Sequence, residues 1–202
     1  YVLSDGRPDH KPRRTRRIQV GNTRKRVHLD VVYLRTQDQL SAVLGPHHAA
    51  WLRHRFGIRH ALDLQFALRK AAATPDLEAL ATFLDLEDSF PRVKCRNLPR
   101  IMRAFGFSEQ LVQTVVALYD NTTCYWVYKH RIYILSPMTE GVQQGCRLST
   151  LLLPMCMELL AQRMFAAFRY HQLMVSLKIF ADDVALHWSR LQGAANRLLP
   201  FI

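Results

Sequence analysis

"SLKIFADDVALHW", residues 176–188, sets two adjacent carboxylates, Asp182 and Asp183, in a run that is otherwise almost wholly apolar. They are the only acidic residues from Leu159 to Ile202, a stretch that also holds Arg163, Arg169, Lys178, Arg190 and Arg197. "LMVSLKIF" and "VALHW" read as two strands that turn at the Ala-Asp-Asp. Burying an unpaired carboxylate is costly, and two side by side also repel. The hairpin tip therefore calls for a cationic partner.

A second acid cluster lies upstream in "FLDLEDSF", residues 83–90. Alternate residues of a strand face opposite ways, so Asp85 shares a face with Phe83 and Glu87, and Leu84 and Leu86 point to the core. Asp85 thus emerges at the end of an apolar strand, as Asp182 does. Two such strands laid side by side make a nest of oxygen ligands suited to hard divalent cations, Mg²⁺ or Mn²⁺. Paired metals in such a nest serve phosphoryl transfer. Taken singly, "DLED" reads as a solvated turn of charges and "ADD" as an Asx-type turn. Taken together, they read as a metal site.

Composition agrees with a nucleic-acid partner. The 202-residue chain carries 28 Lys and Arg against 16 Asp and Glu, a net charge of +12, which favours a polyanion such as nucleic acid over an anionic membrane surface or an acidic protein. A hydrophobic share of 49% is that of a globular core. No run of 18 uncharged apolar residues occurs, so no transmembrane helix and no membrane partner are expected. Cys95, Cys124, Cys146 and Cys156 form no C-x-x-C pair and have no histidine at zinc-ligand spacing. They read as free thiols of a reducing, intracellular compartment (nucleus or organelle).

The basic residues concentrate at the N-terminus. "KPRRTRR" supplies Lys11, Arg13, Arg14, Arg16 and Arg17, and "RKR" supplies Arg24, Lys25 and Arg26, with no acid from Lys11 to Leu29. Residues 1–28 are therefore expected to be a basic, phosphate-contacting arm. Residues 29–80 read as a helical, fingers-like segment. In it, "TQDQLSAVLG" (36–45) is a short helix capped by Thr36 and stopped by Gly45. A second helix starts at Ala61, with Leu62, Phe66 and Leu68 as its apolar positions, and breaks at the "TPD" of 74–76. Residues 81–202 hold the rest. "LPRIMRAFGF" and "SEQLVQTVVALYDNT" make a helix pair in which Gly106 ends the first, Ser108 caps the second, and Leu111, Val115 and Leu118 share a face. "CYWVYKHRIYIL" (124–135) is a hairpin, "GVQQGCRLSTLLLPMCMELLAQRMFAAF" is a loop entering a long apolar helix, and "SRLQGAANRLLPFI" is a last helix. The order predicts an α+β fold, an antiparallel sheet with helices on one face.

These residues resemble the reverse transcriptases of non-LTR, LINE-type retrotransposons, over residues 50–195 or so. "FADD" is similar to their F/Y-x-D-D motif, "LDLEDSFPRV" to their first palm motif L-D-x-x-x-A-F-D-x-V, and "EGVQQGCRLSTLLL" to G-V-x-Q-G-C-P-L-S-P-L-L-F. "RFGIRHALDLQFALRKA" is similar to their finger segment, and "MRAFGFSEQLVQTVVALYDNTT" to the helices between palm motifs. The resemblance implies a right-hand polymerase with fingers and palm. Asp85, Asp182 and Asp183 become catalytic metal ligands. Phe90 becomes the aromatic beneath the incoming sugar, which would exclude a ribose 2′-hydroxyl. Gln144 and Gly145 approach nucleotide and template, and Arg59 reaches toward triphosphate or template.

Departures within the motifs are local, and a larger one follows them. Pro91 stands where the family has Asp, so the strand's exit must differ or lie at an edge. Arg147 and Thr150 replace two prolines, which frees Arg147 for a phosphate. "HALDL" shortens the fingertip, and no thumb is evident after "ADD". Tyr1 rather than Met at the start suggests a processed or excised piece, and the missing thumb leaves two expectations, a piece of a longer polymerase or a retired copy. The first expectation is an RNA-directed DNA polymerase working with RNA template, DNA primer and dNTP. The other is an RNA-binding structural subunit of a ribonucleoprotein, such as an organellar ribosome, with protein neighbours.

Overall fold

The computed structural model describes residues 21–74, 79–119, 123, 125–134 and 140–189. They divide into two compact units. One is drawn from residues 21–36 and 88–153, the other from 37–87 and 154–189. The last predicted helix lies outside the described residues except for Ser189, which ends a strand, and Lys11, Arg13, Arg14, Arg16 and Arg17 lie outside them too.

The second unit is built on a three-stranded antiparallel sheet of β1 (Ala79–Asp85), β4 (Met174–Phe180) and β5 (Asp183–Ser189), in the order β1-β5-β4. β5 pairs with both neighbours because its apolar residues alternate. Val184, Leu186 and Trp188 are buried, and Leu177 and Ile179 of β4 lie on the same covered face. Phe168 of α6 (Ser149–Tyr170) closes that face, its ring edge-on to Trp188 with centroids 5.5 Å apart. β1 is an edge strand, and the edge position changes its burial. Leu84, expected in the core, is 44% exposed although its register partner Val184 is 2% exposed. Residues 47–49 extend the other edge through a parallel bridge of His48 to Ile179.

Two helices differ from their sequence reading. α1 runs Thr23–Val43, not from residue 36. Asn22 caps it, its Oδ1 accepting from the Lys25 amide at 2.8 Å. Thr36 sits mid-helix and donates its hydroxyl to the Val32 carbonyl. Arg24, Lys25 and Arg26 therefore belong to a helical turn rather than to a flexible arm. α2 runs Gly57–Ala73 and turns Leu64, Ala67, Leu68 and Ala71 inward, whereas Leu62 and Phe66 are 56% and 72% exposed.

The first unit packs the start of α1, the single-turn α3 (Ser89–Arg92), a 3-10 turn (Cys95–Asn97), α4 (Leu98–Ala104), α5 (Glu109–Tyr119) and the hairpin β2–β3 (Tyr125–Tyr128, Arg131–Ile134). Gly106 (φ +78°) ends the α4 turn, and Ser108 Oγ caps α5 on the Leu111 amide. The inward stripe of α5 is Val112, Val115 and Tyr119, so Val115 lies inward as expected while Leu111 and Leu118 give way to Val112 and Tyr119. Lys129 and His130 both take positive φ, the signature of a type I′ hairpin turn.

α6 is long and apolar enough to cross a membrane by length and composition. Here its first half is core instead, with Leu151, Leu152, Leu153, Met155 and Met157 all buried. Cys95, Cys146 and Cys156 are free thiols.

Candidate active site

The hairpin tip is the centre of the site. β4 ends at Phe180 and β5 begins at Asp183, which pair, so Ala181 and Asp182 are the two turn residues. Only Ala181 of these two has a positive φ, +60°, a left-handed conformation that costs a non-glycine residue about 1 kcal/mol or more. The tight turn presents Asp182, half-buried, beside the exposed Asp183.

β1 brings the third carboxylate. Asp85 is directly opposite Asp183 in the β1–β5 register. Residues opposed in this way project from the same face with Cβ atoms about 4.5–5.5 Å apart, and like charges so placed destabilise the pair. Neither Asp85 nor Asp183 has an ion-pair partner among the described residues. The face they share with Phe180 and Phe83 is open, with Phe83 70% exposed and Phe180 46%. Three oxygen-donor side chains at one open sheet end, two of them like charges opposed in register, fit a hard divalent cation.

Phe90, Gln144, Gly145 and Arg147 lie in the other unit. Strand β1 ends before Pro91, which sits inside α3 after Asp88 takes a positive φ of +54°. The Val142 amide donates to the Phe90 carbonyl at 2.9 Å and the Gly141 amide to the Val93 carbonyl at 2.7 Å. Phe90, half-buried, and the loop bearing Gln144 and Gly145 are thus tied backbone to backbone. Gly141 (φ +85°) allows it, since a Cβ there would lie 2.9 Å from the Pro91 carbonyl oxygen. Gly145 also needs glycine's freedom, at φ +96°, and is exposed. Arg147 is exposed, 3.9 Å from Asp30 and over the Tyr33 ring. Arg59, in the unit of the aspartates, is exposed on the first turn of α2, one turn before Asp63. Of the basic residues that begin α1, Lys25 packs its ammonium over the Tyr119 ring, while Arg24 and Arg26 stay exposed.

Sequence reasoning passed over one constellation. His47, His48 and Glu158 bring three ligand-type atoms within 4.8 Å of one another, all buried. The available signal was Glu158 itself, the single acid between Glu140 and Asp182, inside an apolar helix.

Comparison with solved structures agrees with this fold. Apo telomerase from Candida tropicalis matches with a TM-score of 0.60 at 15% identity, over 84% of this chain and 33% of that one. The same organism's telomerase in complex with a fragment of telomeric RNA matches with a TM-score of 0.58 at 12% identity, over 85% and 30%. The chain spans about a third of the length of those telomerases. The family model described as "Reverse transcriptase (RNA-dependent DNA polymerase)" matches residues 10–200. A hairpin tipped by Ala-Asp-Asp, a third aspartate in register beside it, and a sequence match over nearly the whole length place the chain in the reverse transcriptase family.

Proposed function

We propose that this chain is the fingers–palm core of an RNA-directed DNA polymerase of the non-LTR, LINE type, adding dNTPs to a primer 3′-hydroxyl on an RNA template. The observation that carries this reading is the pairing of Asp85 with Asp183 beside Asp182 at the turn. In it, Asp85, Asp182 and Asp183 would hold divalent ions, Mg²⁺ or Mn²⁺. Such ions, when bound, lower the pKa of the attacking hydroxyl and neutralise charge on the leaving phosphate oxygen.

The chain's own residues then have separable tasks. The Ala181 turn orients Asp182 relative to Asp183. Phe90 packs against the sugar and excludes a 2′-hydroxyl. The backbone at Gly145 admits a nucleotide's close approach, and Gln144 reaches template or nucleotide. Arg59 and Arg147 offer guanidinium groups to phosphates, Arg147 after leaving Asp30. Lys11, Arg13, Arg14, Arg16, Arg17, Arg24, Lys25 and Arg26 bind the RNA backbone. An RNA partner is also what the RNA-bound telomerase of similar fold suggests.

Primer extension on an RNA template with Mg²⁺ or Mn²⁺, wild type against Asp182→Asn, tests the reading. Loss of one metal ligand should lower extension on the order of a thousandfold, since several kcal/mol of transition-state stabilisation depend on the ions. Extension that persists in the variant overturns the aspartate assignment. Absent extension in both, with tight RNA binding in both, favours the retired RNA-binding subunit.

A further inference from the structure

A second polar cluster lies in the same unit as the aspartates but inside its core. His47 Nε2 lies 2.9 Å and His48 Nε2 3.0 Å from the same oxygen, Oε2 of Glu158. His47 is 8% exposed, His48 2% and Glu158 5%. The Gly45 amide also donates to Oε2 at 3.4 Å, and Gln162 donates to the other oxygen, Oε1, at 3.2 Å. Arg55 fixes the segment from the far side by donating to the carbonyls of Ser41, Leu44, Gly45 and His48.

Hydrogen bonding alone leaves this cluster incomplete. His48 Nε2, also buried, lies 3.0 Å from Oε2 but poorly directed at it, and that oxygen is already engaged by His47 and the Gly45 amide. A buried nitrogen so poorly satisfied is costly. Burial also holds both imidazoles below their ordinary pKa, so they are neutral and carry a lone pair at neutral pH.

We propose that His47, His48 and Glu158 form a structural site for a borderline divalent transition metal, Zn²⁺ above all, with Nε2, Nε2 and Oε2 as ligands and a water as the fourth. Bonds of about 2.0–2.1 Å to a tetrahedral zinc set neighbouring ligand atoms about 3.3–3.4 Å apart. The two nitrogen–oxygen separations, 2.9 and 3.0 Å, need to open by a few tenths of an ångström, and the three ligand atoms already lie within 4.8 Å of one another, so the side chains must also adjust to close on a metal. Two imidazoles with one carboxylate favour zinc and disfavour Mg²⁺, which demands oxygen ligands. The charges facing the site are Glu158 and Arg55, and Arg55 is already anchored on four carbonyls. Bound metal would rivet residues 47–48 to α6. His47 is in turn bonded to β4, its carbonyl accepting from the Ile179 amide at 2.7 Å. Zinc would thus stiffen the edge of the sheet whose hairpin carries Asp182. This site is independent of the polymerase reading.

The experiment is metal analysis of the full chain, purified without a polyhistidine tag, followed by titration of the apo-protein with Zn²⁺ alone and with Co²⁺ alone. One zinc per chain and the intense visible bands of tetrahedral Co²⁺ are expected. His48→Gln and Glu158→Gln should each weaken zinc binding about 100-fold or more, whereas Asp182→Asn should leave it unchanged. If either variant fails to fold, the wild type decides: a chelator should lower Tm by several degrees and zinc should restore it. Trace metal only, no cobalt bands, or a Tm indifferent to the chelator would overturn the site and leave a histidine–glutamate hydrogen-bonded lock.

Discussion

Asp85 and Asp183 face each other across β1 and β5 with no ion-pair partner among the described residues, so the proposed metal-holding role and stability pull in opposite directions there. Opposed like charges destabilise a strand pair by about 0.2–1 kcal/mol. Asp85→Asn should therefore raise the stability of the chain by that amount, read by urea unfolding in a metal chelator, and abolish primer extension when Mg²⁺ or Mn²⁺ is supplied. A variant that is both inactive and less stable would show the carboxylate serving the fold rather than a cation. Elsewhere the charge logic is conventional. A hydrogen bond from the Arg103 guanidinium, helped by Gln113, draws the Glu109 carboxyl down to about 2. The unfolded chain binds that proton near its ordinary value of 4.5. Between these values the unfolded state holds more protons, so stability rises with pH. The pair's contribution is complete above pH 4.5 and fades as acid approaches pH 2. Glu109→Gln should lower Tm slightly at pH 7 and flatten the acid limb of a Tm–pH curve by that same small amount, because both partners are exposed and solvent-screened.

At the scale of elements, two contacts fix the first unit. Tyr119, at the end of α5, and Ser149, at the start of α6, share a buried hydroxyl–hydroxyl bond of 2.8 Å. Tyr119→Phe leaves Ser149 without that partner and should cost about 1–3 kcal/mol in urea unfolding. Gly141→Ala should cost more than about 2 kcal/mol. It combines a left-handed φ with a Cβ 2.9 Å from Pro91 backbone, and the loop bearing Gln144 and Gly145 would have to move. The sequence made the hairpins legible because alternation and turn chemistry are local: Lys129-His130 and Ala181-Asp182 fall where the patterns break. It also made Asp85 legible as a strand-end residue. The start of α1 was not legible, because "RKR" looks like an arm and its cap, Asn22, is a single residue within a charged stretch. The exposure of Leu84 was also hidden, since alternation gives the face of a strand but not its place at a sheet's edge. The His47–His48–Glu158 cluster was hidden because its partners are more than a hundred residues apart in the chain.

For the whole molecule, a net charge of +12 makes salt the natural probe of the RNA-binding proposal. Each phosphate neutralised on single-stranded RNA contributes about −0.7 to the slope of log K against log salt. The five cations Lys11, Arg13, Arg14, Arg16 and Arg17 should therefore account for a slope of about −3.5 when all are engaged. Replacing the five by Gln should weaken binding to any RNA sequence and reduce the slope by that amount, measured by fluorescence anisotropy across a salt series. The same replacement should leave Tm almost unchanged, because a phosphate-contacting residue acts on affinity rather than on the core. A slope that stays steep in the variant would move RNA recognition onto other cations such as Arg24, Arg26, Arg59 and Arg147, which are exposed. A slope that is flat in both proteins would remove the electrostatic basis of RNA binding altogether. Asp182→Asn, measured in the same series, separates the two tasks proposed for the chain. It should bind RNA with an unchanged slope while failing to extend a primer, because in this proposal counterion release depends on cations along the chain and phosphoryl transfer on the carboxylates at one sheet end.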